Sequence, residues 1–226
     1  MRAPIFIVGC PRSGTTWVWG LITAHPDTVP LLPEDAVPGG GVETAIFTTE
    51  MALTDDEIFA IVGKKMDGDK RVMVEKTPLH LWFANRIWGL FPNAKVVCVT
   101  RNPYDTINSM LAAGDVLGMG AWNLKGAWVR WASSVEEIQK LEGDERFYTI
   151  SYEGLSNDPV ALLSKLLEWL ELDPAHAQEM VDFNHRKSIY PQNPSGILRR
   201  GEVGAWKKEM HPQFVDFVTT MLLEKT

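Results

Sequence analysis

Two glycines, an arginine and a run of hydroxyls stand together in Gly9-Cys10-Pro11-Arg12-Ser13-Gly14-Thr15-Thr16-Trp17, directly after the apolar run Ile5-Phe6-Ile7-Val8. A strand that breaks at glycine and re-enters a helix aims backbone N–H groups and the positive end of the helix dipole at one point, a place for a phosphate-like anion. Against the pattern G-x-x-x-x-G-K-[ST], Gly9, Gly14 and Thr16 fit, whereas Thr15 holds the lysine position and Arg12 is the nearest cation. The turn reads as a phosphate loop that departs from those of ordinary nucleoside triphosphatases.

A second site of the same kind follows Lys95-Val96-Val97-Cys98-Val99-Thr100, a continuous apolar run suited to a strand buried on both faces. Magnesium-dependent phosphate-loop enzymes often end such a strand in aspartate to hold the metal. Here it ends in Thr100-Arg101-Asn102-Pro103, without a carboxylate. A cation at the carboxyl end of a parallel strand suits a second anionic group of the ligand, and Ser109, on the helix opened by Pro103, can reach the same anion.

These segments resemble the sulfotransferases that use 3′-phosphoadenosine 5′-phosphosulfate (PAPS). Residues 10–17 look like the family's 5′-phosphosulfate loop, and Arg101-Asn102-Pro103-Tyr104-Asp105 with Ser109 looks like its 3′-phosphate strand and helix. Arg199-Arg200-Gly201-Glu202-Val203-Gly204-Ala205-Trp206-Lys207 looks like its late R-x-G-x-x-G-x-W-K loop. Smaller matches are Val74-Glu75-Lys76-Thr77-Pro78 and Ile150-Ser151-Tyr152-Glu153-Gly154-Leu155, where Gly154 replaces the usual aspartate. The resemblance implies sulfuryl transfer from PAPS to a hydroxyl or amine, with PAP as product and no metal. It assigns Arg12, Ser13, Gly14, Thr15, Thr16, Trp17 and Lys76 to the 5′ end, and Arg101, Ser109, Arg199, Arg200 and Gly201 to the 3′-phosphate. Tyr152 would lie near the adenine. The family usually has lysine where Arg12 stands, which makes Lys76 the alternative proton donor to the leaving oxygen. The competing function class is a phosphate-loop nucleotide-binding or kinase-like protein that uses ATP.

Two residues compete for the role of general base. The cytosolic small-molecule branch places histidine directly after Lys-Thr, a position held here by Pro78, whereas Glu before Lys-Thr-Pro, as in the glycan-sulfating branch, matches Glu75. His80 has an ordinary pKa nearer neutrality than a carboxylate and falls in the first turn of a helix that Thr77 can cap and Pro78 can begin. Glu75 is preferred as base, with His80 as the alternative or as a partner that orients the acceptor. Glu75 beside Lys76 also reads as a simple ion pair.

The elements that must position these residues alternate. Short apolar strands are expected near residues 3–9, 71–75, 94–100 and 146–152, with helices at 15–24, 79–90, 103–112, 121–141, 159–171 and 212–223. Asp158-Pro159 reads as an N-cap followed by proline at the first helical position. This pattern implies an α/β, three-layer sandwich around a central parallel sheet with a phosphate-binding loop. Residues 25–50, rich in proline and glycine, read as a loop over the site or a plain surface connection, as do 115–120 and 186–196.

Composition sets the outer limits. A chain of 226 residues with 45% hydrophobic content can bury a full core, and no linker divides it, so one domain over 1–226 is expected. Two cysteines make no disulfide framework; Cys10 reads as a small loop residue, with a reactive thiol as the alternative. No apolar run approaches a membrane span, which points to a cytoplasmic protein. A net charge of −7 gives no general attraction for nucleic acid, anionic membrane or heparin-like chains, so the acceptor is expected to be a small molecule. Oligomeric state has no signature in the sequence.

Overall fold

The computed structural model describes residues 3–36, 43–48, 52–66, 71–117, 123–186 and 201–224. Five strands, β1 (Ile5–Gly9), β2 (Thr28–Pro30), β3 (Val72–Lys76), β4 (Lys95–Thr100) and β5 (Phe147–Ser151), form one sheet in the order β2-β3-β1-β4-β5. Every pairing is parallel, with Ile7 opposite Lys76, Gly9 opposite Val99 and Thr100 opposite Ser151. The central strand β1 is buried at all five positions, whereas β5 at the edge buries only Phe147 and Ile150. A continuous apolar run thus marks the middle of a parallel sheet, and alternation marks its edge.

Helices cover both faces. On one face Phe6, Val8, Met73, Val96 and Cys98 pack against α3 (Asp55–Met66), α4 (Ala84–Leu90) and the end of α6 (Leu124–Leu141). On the other, Ile5, Ile7, Val74, Val97 and Val99 pack against α1 (Thr15–Thr23), α8 (Pro159–Trp169) and α9 (Ala177–Arg186). A third apolar cluster joins α5 (Pro103–Leu117), the start of α6 and α11 (Pro212–Leu223) through Ile107, Met110, Trp128 and Val218. This is the expected α/β sandwich. Among the described residues no helix is long and apolar enough to cross a membrane.

Local chemistry sets the helix starts. Asp158 caps α8 by accepting the Ala161 N–H at 3.2 Å, with Pro159 at the first position, as expected. Asn123 caps α6 in the same way through Gly126. α3, absent from the expected helices, opens with a capping box in which Thr54 and Glu57 exchange hydrogen bonds, and it buries Ile58, Val62 and Met66 at helical spacing. Thr77 departs from expectation. Residues Pro78–Phe83 form a 3₁₀ segment ahead of α4, and the Thr77 hydroxyl is turned to Glu75 and does not cap it.

The region read as a loop over 25–50 needs correction where it is described. It contains β2 and the short helix α2 (Pro33–Ala36), and residues 43–48 bury Ile46 and Phe47 completely. Residues 37–42 and 49–50 lie outside the described residues, as do 118–120 and 187–196 of the two other candidate loops. Residues 115–117, by contrast, continue α5.

A buried histidine ties the end of α1 to the turn before α9. His25 is 2% exposed; Nδ1 accepts the Asp27 N–H at 3.0 Å and Nε2–H donates to the Asp173 carbonyl at 3.2 Å. Burial pushes its pKa below the ordinary 6.5, against the pull of the Asp173 carbonyl, and the ring of His176 lies 4.9 Å away. A group buried neutral contributes stability that is complete above its unfolded pKa and declines as the pH falls below it. Thermal melts are expected to show wild type losing more stability between pH 7.5 and 5.5 than His25→Gln, which keeps a donor without a titrating ring. An equal loss in both would assign the acid sensitivity elsewhere.

Candidate active site

Four strand ends meet on one edge of the sheet. β1 delivers the phosphate loop, β3 delivers Glu75 and Lys76, β4 delivers Arg101, and β5 delivers Tyr152 at the start of α7 (Tyr152–Asn157). A ligand outside the carboxyl ends of parallel strands, where the chain order crosses over β1, is the general arrangement of open α/β sheets.

The loop is shaped by backbone in the left-handed region, with φ of 73° at Arg12 and 104° at Gly14. The Ser13 N–H closes the turn on the Cys10 carbonyl at 3.0 Å, which leaves the amides of Gly14, Thr15 and Thr16 as the open N-terminal donors of α1. Ser13 is thereby spent through its amide while its hydroxyl is buried with no partner. Arg12 extends its Nε–H to the Ser109 hydroxyl at 3.3 Å, so Ser109 stands between the two anion positions. Cys10 is buried against α6, and burial pushes its thiol up to about 12 despite a hydrogen bond with Ser134, which disfavours the thiolate.

Arg101 is held loosely by neutral acceptors. Its guanidinium reaches the Arg12 carbonyl at 3.4 Å and the Glu202 carbonyl at 3.3 Å, and its buried Nε has no partner. It lies 4.3 Å over the ring of Tyr152. Tyr152 in turn donates to the Gly201 carbonyl at 2.7 Å and meets Trp17 edge to face at 5.1 Å. Burial pushes the phenol up, against the pull of Arg101, so it stays a donor. Buried, unpartnered donors on two adjacent strand ends, Ser13 Oγ and Arg101 Nε, fit a ligand with more than one anionic group. The residues present therefore suit PAPS or PAP. Arg199 and Arg200 lie outside the described residues.

Glu75 and Lys76 point to opposite faces of the sheet, as neighbours on a strand must, and do not pair with each other. Lys76 is bound to Glu43 at 2.8 Å with its side chain 5% exposed. Glu75 is fully buried. Its Oε1 accepts the hydroxyls of Thr44 at 2.5 Å and Thr77 at 2.7 Å, and Oε2 faces His80 Nδ1 at 2.9 Å. The Phe47 N–H donates to His80 Nε2 at 3.2 Å, which assigns the ring proton to Nδ1 and makes His80 a donor to Glu75. Burial opposes ionisation of Glu75; the His80 ring and the two hydroxyls outweigh it and hold the carboxyl below its ordinary range. Thr44, Phe47 and Glu43 were invisible as site residues in the sequence, because nothing local ties them to a strand about thirty residues away.

The late loop approaches from the other side. Trp206 is half-buried and stacked on Tyr104, with ring centroids 4.4 Å apart, and Lys207 is exposed. Asp105 is 2% exposed and accepts the N–H of Gly204 at 2.7 Å and of Trp206 at 3.2 Å. Its residue type was on view in the motif after Arg101, but its partners were not. Among the described residues no group of three His, Cys, Asp or Glu side chains is placed to hold a metal ion.

The chain shares 25% identity over 195 residues with a putative protein-tyrosine sulfotransferase of Caenorhabditis briggsae, covering 78% of this chain and 68% of that protein. A protein-tyrosine sulfotransferase of Drosophila melanogaster is 24% identical over 192 residues, covering 74% of this chain and 38% of that protein. Among such curated relatives, the part matched ranges from 26% to 68% of their length. The fold matches a mouse sulfotransferase complexed with PAP, with a TM-score of 0.71 at 19% identity over 99% of this chain and 84% of that one. It also matches the sulfotransferase domain of the curacin biosynthetic pathway, with a TM-score of 0.62 at 20% identity over 98% of both chains. The profile of the family described as the sulfotransferase domain matches residues 2–226, and the chain belongs to that family.

Proposed function

We propose that this chain is a PAPS-dependent sulfotransferase, a single domain that moves a sulfuryl group to an acceptor hydroxyl or amine by in-line displacement. The observation that carries the reading is the pair of adjacent strand ends bearing Arg12 and Arg101, where the Ser13 hydroxyl and the Nε of Arg101 itself are buried without a partner. The competing ATP-dependent reading lacks the loop lysine and a strand-end aspartate, since Thr15 and Thr100 stand there. When bound, PAPS supplies the sulfuryl group and a nucleotide leaving group.

The chain supplies holding, charge and a proton acceptor. The open amides of α1, the Ser13 hydroxyl and Arg12 hold the 5′ end, with Lys76 released from Glu43 as the cation that meets charge developing on the leaving oxygen. Arg101, Ser109, Arg199, Arg200 and Gly201 hold the 3′-phosphate. Glu75 is the base, ionised at neutral pH by its hydrogen bonds, and the Thr44 hydroxyl is the contact through which a proton reaches it. His80 is a positioning residue in this scheme, since both of its ring nitrogens are engaged.

The acceptor is read as a small molecule, in line with the chain's net charge of −7. A tyrosyl phenol is the second reading, favoured by the curated relatives that are protein-tyrosine sulfotransferases. A cytoplasmic site of action fits two buried free cysteines. Transfer from labelled PAPS to a panel of phenols, alcohols, amines and tyrosyl peptides tests the activity; transfer to none of them, with hydrolysis of ATP instead, would overturn it.

Two substitutions test the assignments. Arg101→Ala removes a charge-assisted contact worth about 1.5–3 kcal/mol, so PAP affinity is expected to fall roughly 10- to 150-fold, while adenosine 5′-phosphosulfate, which lacks the 3′-phosphate, is little affected. Equal losses for PAPS and adenosine 5′-phosphosulfate would remove Arg101 from the 3′ site. Glu75→Gln keeps the side chain's shape and removes its basicity, so turnover is expected to fall by ~10²–10⁴ with PAP affinity nearly unchanged. Near-normal turnover in that variant would take Glu75 out of the chemistry.

A further inference from the structure

A buried carboxylate beside a site for anions raises a physical question. Asp105 is 2% exposed at the third position of α5, four residues after Arg101, and its charge is felt at Tyr152. Its negative field opposes a polyanionic ligand, so its place there needs a compensating task. Both of its oxygens are engaged by backbone N–H groups of the late loop, Gly204 on Oδ2 and Trp206 on Oδ1. Gly204 has a φ of 80°, which turns its amide inward at a position that favours glycine.

The rest of the loop is gripped from the same helix and from the strand ends. Tyr104 stacks on Trp206, and Asn108, about one turn beyond Asp105, donates to Glu209 at 2.7 Å. The loop carbonyls of Gly201 and Glu202 face Tyr152 and Arg101 at 2.7 and 3.3 Å. Loop donors thus go to Asp105 and loop acceptors to the site, which sets the orientation of the peptide planes between residues 201 and 206.

We propose that Asp105 is a positioning residue for nucleotide selectivity: its carboxylate latches the late loop against Arg101, so that ligands bearing a 3′-phosphate are chosen over those without one. This inference rests on the reading of Arg101 and the late loop as the 3′-phosphate site. Asp105 touches no ligand; it acts through the amides of Gly204 and Trp206.

The test is Asp105→Asn, in which one amide N–H faces a donor in place of an acceptor. Hydrogen exchange at Gly204 and Trp206 is expected to quicken, and the calorimetric preference for PAP over adenosine 5′-phosphate to fall about tenfold or more, with the affinity for adenosine 5′-phosphate nearly unchanged. Equal weakening of both nucleotides in a folded Asp105→Asn protein, or unchanged exchange and preference, would overturn the proposal. If Asp105→Asn fails to fold, Asn108→Ala releases the same segment at Glu209 and is expected to shift the preference the same way by a smaller factor; no shift would also overturn it. Arg101→Ala separates the two levels of the argument. Retention of the PAP preference in that variant would remove the 3′-site reading itself, whereas its loss there with no effect of Asp105→Asn would remove only the latch.

Discussion

The site depends on one aromatic ring. Tyr152 leaves the end of β5 and fills the space between the phosphate loop, Arg101 and the late loop, and at two of its contacts it excludes a bulkier neighbour. A Cβ on Gly14 would collide with the Tyr152 ring, and one on Gly201 would collide with its hydroxyl. The left-handed backbone at both glycines adds strain to any substitution. Because the ring face also carries the Arg101 guanidinium, a single side chain sets the spacing of both proposed anion positions. Its hydroxyl reaches a carbonyl 49 residues away in sequence, so the last loop is tied to the first strand end through β5.

Around that hub, charges are separated by the pleat of β3. Consecutive residues there face opposite sides of the sheet, so Glu75 enters a network with Thr44, Thr77 and His80 while Lys76 turns to Glu43. An ion pair between the two, plausible when they are read as neighbours, would require one of them to reach around the strand. The proposed chemistry benefits from the separation: a carboxylate held by three donors stays ionised, and the lysine on the other face is paired with Glu43 and not with the base.

The central strands, the glycine-rich turn after β1 and the place of Arg101 just past the end of β4 were legible because they are local patterns. Continuous apolar runs marked β1 and β4, and the glycine and hydroxyl spacing marked the loop. β2 was not legible, since three residues ending in proline carry no alternation and form an edge strand only because β3 offers a partner. α3, absent from the expected helices, carries a capping box and buried spacing that are local signals. The environment of Glu75 was beyond reach for a different reason. Thr44 and Phe47 come to it only through tertiary packing of a segment whose composition resembles a surface loop, and Thr77, which looked like a helix cap, found a stronger acceptor in the buried carboxylate.

The central claim is that two cationic strand ends, positioned by Tyr152, read a nucleotide with anionic groups at both its 3′ and 5′ positions without help from a metal. Calorimetric titration of the protein with PAP in the presence of a chelator, beside titration with ATP and magnesium, addresses it most directly. The account predicts tighter binding of PAP under chelation, and tighter binding of ATP with magnesium would contradict it.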